Sequence, residues 1–252
     1  MSKEMFFSSP AQLNDPFDCR IPLNFYGGTD EEIKSEWLAN ASERYPHLQG
    51  RALTKRINKD ITRYSKIRDN PSKRDKTEEY IARDLLKGFG LFSMSANRQC
   101  ILLWSHYADA HKGYCVGFNT NMLKRDFISV RPTNNPKSVC ALFPVSYTHS
   151  YPQLSCFGTK EEKIRNLNRA LTTKSNVWQY EEEYRLIIMN ESNIAITFNE
   201  DAVNSVILGA LMEESGRKLL LGSLRKWRKI PNVFQAVKSR RAFGLDFCSI
   251  TI

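Results

Sequence analysis

A chain of 252 residues that is 41% hydrophobic and 25% charged can bury a full core, which excludes disorder of the whole. Its longest apolar runs, Ile101 to Trp104 and Leu219 to Leu221, fall far short of the roughly 20 residues that span a bilayer, and Met1-Ser-Lys-Glu has no apolar signal core. A cytoplasmic protein with no membrane partner is expected, and its formal charge of +10 creates a field that attracts phosphate groups.

In chain order, residues 5–8 read as a strand, followed by a Pro-marked turn and a loop through Asn14-Asp15-Pro16-Phe17-Asp18. Thr29 and Glu32 have capping-box spacing; Ile33, Trp37, Ala41 and Tyr45 then recur every four residues until Pro46 ends a first helix. Leu53, Ile57, Ile61 and Tyr64 define a second helix, with Arg56, Lys59, Arg63 and Lys66 among its polar residues, and Asn70-Pro71 breaks it. A third helix over 73–87 has Ile81, Leu85 and Leu86 on its apolar side.

Beyond Gly88 the pattern changes: a short strand at 91–95, a helical turn at 102–108, and a strand at 114–118. Thr159 and Glu162 form a second capping-box pair, opening a helix through Ile164, Leu167 and Leu171. Residues 184–189 and 194–198 read as a hairpin turning at 190–193. A strand at 205–208 closed by Gly209, a helix over 213–228 with Leu220, Leu224 and Trp227 inside, and a hairpin of 234–238 with 243–247 complete the chain. Helices gather in 29–90 and strands predominate later. The segregation predicts an α+β fold: a single domain over 1–252 with a mixed or antiparallel sheet core and a basic helical insertion at about 29–90.

The six cysteines form no C-x-x-C pair, so no structural metal is expected, only reduced and mostly buried thiols. Between Arg51 and Lys76 stand ten Lys/Arg and only three Asp. Such a run is either a solvated helical face or a surface for nucleic acid or another polyanion.

Three clusters could carry chemistry. Asn14-Asp15-Pro16-Phe17-Asp18 is either a rigid turn or a turn presenting polar groups to a pocket. In Trp104-Ser-His-Tyr-Ala-Asp-Ala-His-Lys-Gly113, His106 and His111 lie five apart, the wrong spacing for a two-His metal face, and adjacent Ser105 and His106 do not make a nucleophile–base pair. In Trp178-Gln-Tyr-Glu-Glu-Glu-Tyr-Arg185, strand alternation puts Glu181, Glu183 and Arg185 on one face, and Tyr184, Leu186 and Ile188 on the core side. Two carboxylates so close repel, so one must gain a proton unless a cation stands beside them; Arg185 is placed to be that cation. The alternative is an exposed face with cross-strand ion pairs.

Taken in order, Phe6-Phe-Ser-Ser-Pro with Asn14-Asp-Pro-Phe-Asp18, Trp104-Ser-His-Tyr-Ala-Asp with His111-Lys-Gly113, Trp178-x-Tyr-Glu-x-Glu-Tyr-Arg185 and Val206-Ile-Leu-Gly209 resemble a bacterial and phage-associated group, domain of unknown function family 2971. More remotely, the layout is similar to ADP-ribosyltransferases. That resemblance implies NAD as co-substrate, residues 91–95 as the middle strand, Glu183 holding the nicotinamide ribose and Glu181 orienting or deprotonating the acceptor. It also implies Asn14, His106 and Tyr107 lining the pocket; His106 is the third candidate catalytic residue beside Glu183 and Glu181, and Asn14, Asp15, Trp104, Tyr107 and Arg185 are the candidate substrate-binding residues. The group also implies a strand and helix ahead of Phe6, and this chain begins almost at that segment. The NAD-gripping role therefore falls to Arg98 or another residue, or the chain is a shortened form, or the analogy fails.

Three functions follow as expectations: an NAD-consuming transferase acting on a macromolecule, associated with phage defence; a nucleic-acid-binding protein or nuclease using Asp15, Asp18, Glu181 and Glu183 as magnesium ligands; and a non-catalytic sensor or interaction module.

Overall fold

The computed structural model describes residues 3–129 and 133–252, so Met1 and Ser2 of the expected leaderless start lie outside the described residues. In chain order the elements are β1 (Glu4–Phe7), β2 (Leu23–Asn24), α1 (Asp30–Ala39), α2 (Ala41–Arg44), α3 (Gly50–Arg68), α4 (Pro71–Leu86), β3 (Phe89–Ser95) and α5 (Ile101–Tyr107). They continue with β4 (Tyr114–Phe118), α6 (Thr120–Leu123), β5 (Cys140–Pro144), β6 (Ser146–Thr148), β7 (Leu154–Ser155), α7 (Lys160–Thr172) and β8 (Thr173–Ser175). The last are β9 (Glu183–Met189), β10 (Ile194–Thr197), β11 (Val203–Leu208), α8 (Glu214–Leu224), β12 (Asn232–Lys238) and β13 (Leu245–Ile250). The fold is α+β with several small sheets, as the segregation of helical and strand patterns predicts.

The chain forms two compact units. The first comprises Met1–Leu13, Lys87–Tyr147 and Lys174–Ile252. Its frame is the sheet β3-β9-β5, the sheet β13-β12-β11-β4 and the antiparallel pair β1-β10. Strand β9 is central, hydrogen-bonded antiparallel to β3 on one side and β5 on the other, which explains why Leu186, Ile187 and Ile188 are all buried. Met5, Phe7, Leu186, Ile188, Val206, Leu208 and Leu224 share one apolar cluster. Gly90 has no room for a side chain there: a Cβ would lie 2.7 Å from Ile188 and 2.9 Å from Phe7.

The second unit comprises Asn14–Leu86 and Thr148–Thr173, and contains the helices of the basic run. Both capping boxes form: Thr29 with Glu32 at the start of α1, and Thr159 with Glu162 at the start of α7. The apolar stripe of α3 (Ile57, Ile61, Tyr64) packs on Ile33 and Trp37 of α1, with Trp37 edge-on to Tyr64. A second cluster joins Ile21 and Leu23 to Leu154 and Ala170, where β2 and β7 pair in parallel.

Several elements differ from the sequence pattern. The first helix breaks at Asn40, whose backbone leaves helical geometry, and only the turn α2 follows before Tyr45. Leu85 of the third helix is exposed. The helix expected to reach Arg228 stops at Leu224, yet Trp227 beyond it is buried. The final hairpin exists as β12-β13, but its second strand starts at Leu245 and leaves Phe243 fully exposed. Strands β9 and β10 do not form a hairpin: β10 pairs with β1 while β9 takes β3 and β5. The left-handed Asn190 and Asn193 do turn the chain, but they deliver it to a different partner. All six cysteines are free, with Cys19 and Cys140 buried, three half-buried and Cys248 exposed, so the thiols are less buried than expected.

Candidate functional site

The segment from Trp178 to Arg185 is not one strand. Asn176–Glu181 is a 3-10 helix, Glu182 closes it in left-handed geometry (φ 44°), and strand β9 begins at Glu183. Tyr184 correspondingly faces outward, 42% exposed, rather than joining Leu186 and Ile188 in the core. The carboxylates nonetheless meet. Within β9, alternation aligns Glu183 with Arg185, and the tight turn folds Glu181 back beside them.

What joins them is a buried charge network. Lys174 Nζ donates to Glu181 Oε2 at 2.6 Å and to Glu183 Oε2 at 3.2 Å. Arg185 grips Glu183 with both Nε (2.7 Å) and Nη2 (3.0 Å). The side chains of Lys174, Glu181 and Glu183 are 5% exposed and that of Arg185 is fully buried, so these opposite charges meet out of solvent. Burial pushes the Glu183 carboxyl up, but hydrogen bonding and attraction from Arg185, then Lys174, outweigh it and hold the group below the usual carboxylate range. The backbone N–H of Glu183 donates to the Tyr147 hydroxyl at 2.8 Å, and Lys174 also lies over the Trp178 ring.

A polar rim meets this network. The Tyr107 side chain, with the residue 54% exposed, donates its hydroxyl hydrogen to the buried Glu181 Oε1 at 2.9 Å. His106, one residue earlier on α5, is exposed and contacts the rings of Tyr107 and Trp178 edgewise. On β3, Ser93 and Ser95 stand opposite Arg185 and Glu183 in register, both exposed, and Ser93 helps to lower the Glu183 carboxyl. Thus His106, Tyr107, Glu181, Glu183 and Arg185 come together from two separate sequence clusters. Lys174 is the member that the sequence reading missed. Two adjacent carboxylates call for a second cation, but no spacing in the sequence points to Lys174.

The other expected site residues are described by their immediate surroundings. Trp104 is buried, donates its indole N–H to the Arg98 carbonyl and stacks on His111, so it braces α5 from inside. Arg98 lays its guanidinium over the rings of Phe234 and Phe247. Asn14 and Asp15 belong to the second unit. Asn14 is exposed, whereas Asp15 is buried and accepts the Phe17 N–H at 2.9 Å, making a side-chain-closed turn. Asp18 is buried in the same turn, which Cys19 leaves with a positive φ of 54°.

A contact that sequence reading did not foresee links Ser105 Oγ to His111 Nε2 at 3.1 Å. The Ser105 hydroxyl donates to the Ile101 carbonyl, so His111 serves as donor to Ser105 and not as its base. Asp109, Ala110 and His111 all have positive φ, and the turn they make carries Asp109 and Lys112 to a cleft of about 460 Å³ beside Glu213 and Gly216 at the start of α8. Thiolate chemistry at Cys140 and Cys156 has little support, since burial pushes Cys140 up to about 12 and Cys156 up to about 11. Among the described residues no group of three or more His, Cys, Asp or Glu is arranged to hold a metal ion. No helix among them is long and apolar enough to cross a membrane.

A family model described as "Protein of unknown function (DUF2971)" matches residues 103–186. The match supports that family over a stretch running from α5 into β9, which contains His106, Tyr107, Lys174, Glu181, Glu183 and Arg185. No curated protein and no solved structure matches the chain.

Proposed function

We propose that this chain, with its DUF2971 match over residues 103–186, is an intracellular NAD-consuming transferase whose reaction centre is the rim above the Lys174–Glu181–Glu183–Arg185 network. The observation that carries the reading is the hydrogen bond from Tyr107, a residue about half exposed, to the buried Glu181 carboxylate. It offers a proton path from a surface where a macromolecule can dock to a base that water does not reach. The pairing of the serine strand β3 with the glutamate strand β9 supports it further, since it sets hydroxyls beside an ionised carboxylate.

A carboxylate has about four lone-pair directions. Arg185 and Lys174 supply three donors to Glu183, which leaves one direction, on the side of the exposed Ser93, for a ribose hydroxyl. Glu183, kept ionised, then favours the positive charge that grows on the ribose as the bond to nicotinamide breaks. The electron pair of that bond leaves with nicotinamide, the acceptor's nucleophilic atom bonds to the ribose carbon, and the acceptor proton passes through Tyr107 to Glu181. His106 and Trp178 provide ring faces and edges at the rim.

The test is nicotinamide release from NAD by the full chain. Wild-type protein is expected to release it, Glu183→Gln to abolish release, and Tyr107→Phe to slow it by roughly 100-fold while the chain stays folded. Tyr107→Phe keeps the ring and removes one hydrogen bond to Glu181, which costs about 1–3 kcal/mol, so a circular-dichroism melt showing a folded chain at the assay temperature accompanies the rate. No release by the wild type, or full turnover in Glu183→Gln, would sink the reading.

A further inference from the structure

Helix α3 carries a feature that the NAD reading does not use. Arg51, Lys55, Lys59, Arg63 and Lys66 are all exposed, and none is within ion-pair distance of a carboxylate among the described residues. At about 100° per residue these five fall in an arc of about 120°, opposite the stripe of Ile57, Ile61 and Tyr64 buried against α1. Arg51, Lys55, Lys59 and Arg63 follow one another at i, i+4 and rise about 6 Å each, Lys66 stands one turn beyond Arg63 at i+3, and the row runs for about 22 Å. The nearby acids are engaged elsewhere: Asp60 with Arg56 and Tyr45, Asp69 with Arg68, Asp30 with Arg68 and Ser65.

We propose that this face of α3 binds the phosphodiester backbone of nucleic acid. Repulsion among five unpaired cations in one row costs stability that ion pairs on the same helix show to be avoidable, and a regular line of phosphates relieves it. An anionic membrane fits less well. Helices that lie on bilayers insert an apolar face, whereas the apolar stripe of α3 is committed to α1 and no large apolar side chain of α3 is exposed. The surface has no hydrogen-bonding pattern for base edges, so contacts are to the backbone and sequence-independent.

The experiment measures binding of the full chain to labelled 20-base-pair duplex DNA and duplex RNA of mixed sequence from 50 to 300 mM salt. Five phosphate contacts predict that log K falls against log salt with a slope of about −4.5 on DNA. Lys55→Gln with Lys59→Gln should make the slope shallower by about 2. Both side chains are exposed, so the melting temperature should hold. Lys226→Gln with Lys229→Gln removes the same charge from exposed positions near the end of α8 and should leave the slope unchanged. Preference between the two duplexes identifies which nucleic acid is the ligand. A salt-insensitive affinity, an equal effect of the two double variants, or capture by phosphatidylserine vesicles without binding to either duplex would overturn the proposal. None of these outcomes bears on nicotinamide release, so the two readings fail separately.

Discussion

Lys174 bears the consequence of burying Glu181 and Glu183 side by side. Its hydrogen bond reaches Glu181, and it shares Glu183 with Arg185. Lys174→Met keeps an unbranched apolar stem in the same space but leaves a buried carboxylate without its counter-charge, for an expected loss of about 3–5 kcal/mol. Urea unfolding checks this, and Lys174→Met combined with Glu181→Gln should recover part of the loss, because the orphaned charge goes with its partner. A loss under about 1 kcal/mol, the level of an exposed ion pair, would show that water reaches the network. Sequence could give the part of this cluster that follows strand alternation. Glu183 and Arg185 are two apart in β9, and their mutual need for charge is visible in the letters. It could not give Lys174, because a 3-10 helix and a left-handed Glu182 separate it from the strand and defeat any simple period. Nor could it give Tyr107, which reaches Glu181 across 74 residues.

At the scale of elements, local chemistry was readable and long-range pairing was not. Both capping boxes, the apolar stripe of α3 and its end before Pro71 depend on neighbours within a few residues, and all form. The hairpin expected from β9 and β10 failed because nothing in either strand records that β1, at the other end of the chain, is the partner of β10. Strand β5 escaped notice altogether: Cys-Ala-Leu-Phe-Pro is too short and too proline-bound to stand out, and it exists by pairing with β9. Two glycines near α8 show how context decides. Gly209 follows β11, and its N–H donates to the Gly113 carbonyl; a Cβ there would press on the His111 carbonyl oxygen and lie 2.6 Å from that of Gly113. Gly209→Ala must therefore displace the left-handed turn of Asp109, Ala110 and His111, at an expected cost of about 1–3 kcal/mol. Gly222, inside α8, has open space where its side chain would be, so Gly222→Ala should instead stabilise by about 0.5–1 kcal/mol. Thermal melts of the two variants should shift in opposite directions; a shared direction would contradict the geometry.

For the whole molecule, charge links the folded state to pH. Glu183 is held low because its bonds to Arg185 and Lys174 outweigh burial. Hydrogen bonds from Ser65 and Arg68 lower Asp30, those from Thr29 lower Glu32, and those from Thr159 lower Glu162. Burial raises Asp60, but Arg56 and Tyr45 bring it down overall, and Lys3 lowers Glu200. All six shift in one direction, and that fixes the sign. A carboxyl held low in the fold takes up its proton in the unfolded chain first, so its stabilisation is complete above the ordinary values of 3.8 for Asp and 4.5 for Glu and is lost as pH falls through the folded value. Net charge acts in the same sense, because a chain already at +10 becomes more positive with every carboxylate protonated. The melting temperature should therefore be nearly level from pH 7 to about 5 and fall steeply below about 4.5. Glu183→Gln should start from a lower melting temperature but decline less between pH 4.5 and 3, having lost a group that drives the change. Calorimetry across that range checks both parts. A melting temperature that stays level to pH 3 would mean that these carboxylates are no better placed in the fold than in water, the Glu183–Arg185 pair included.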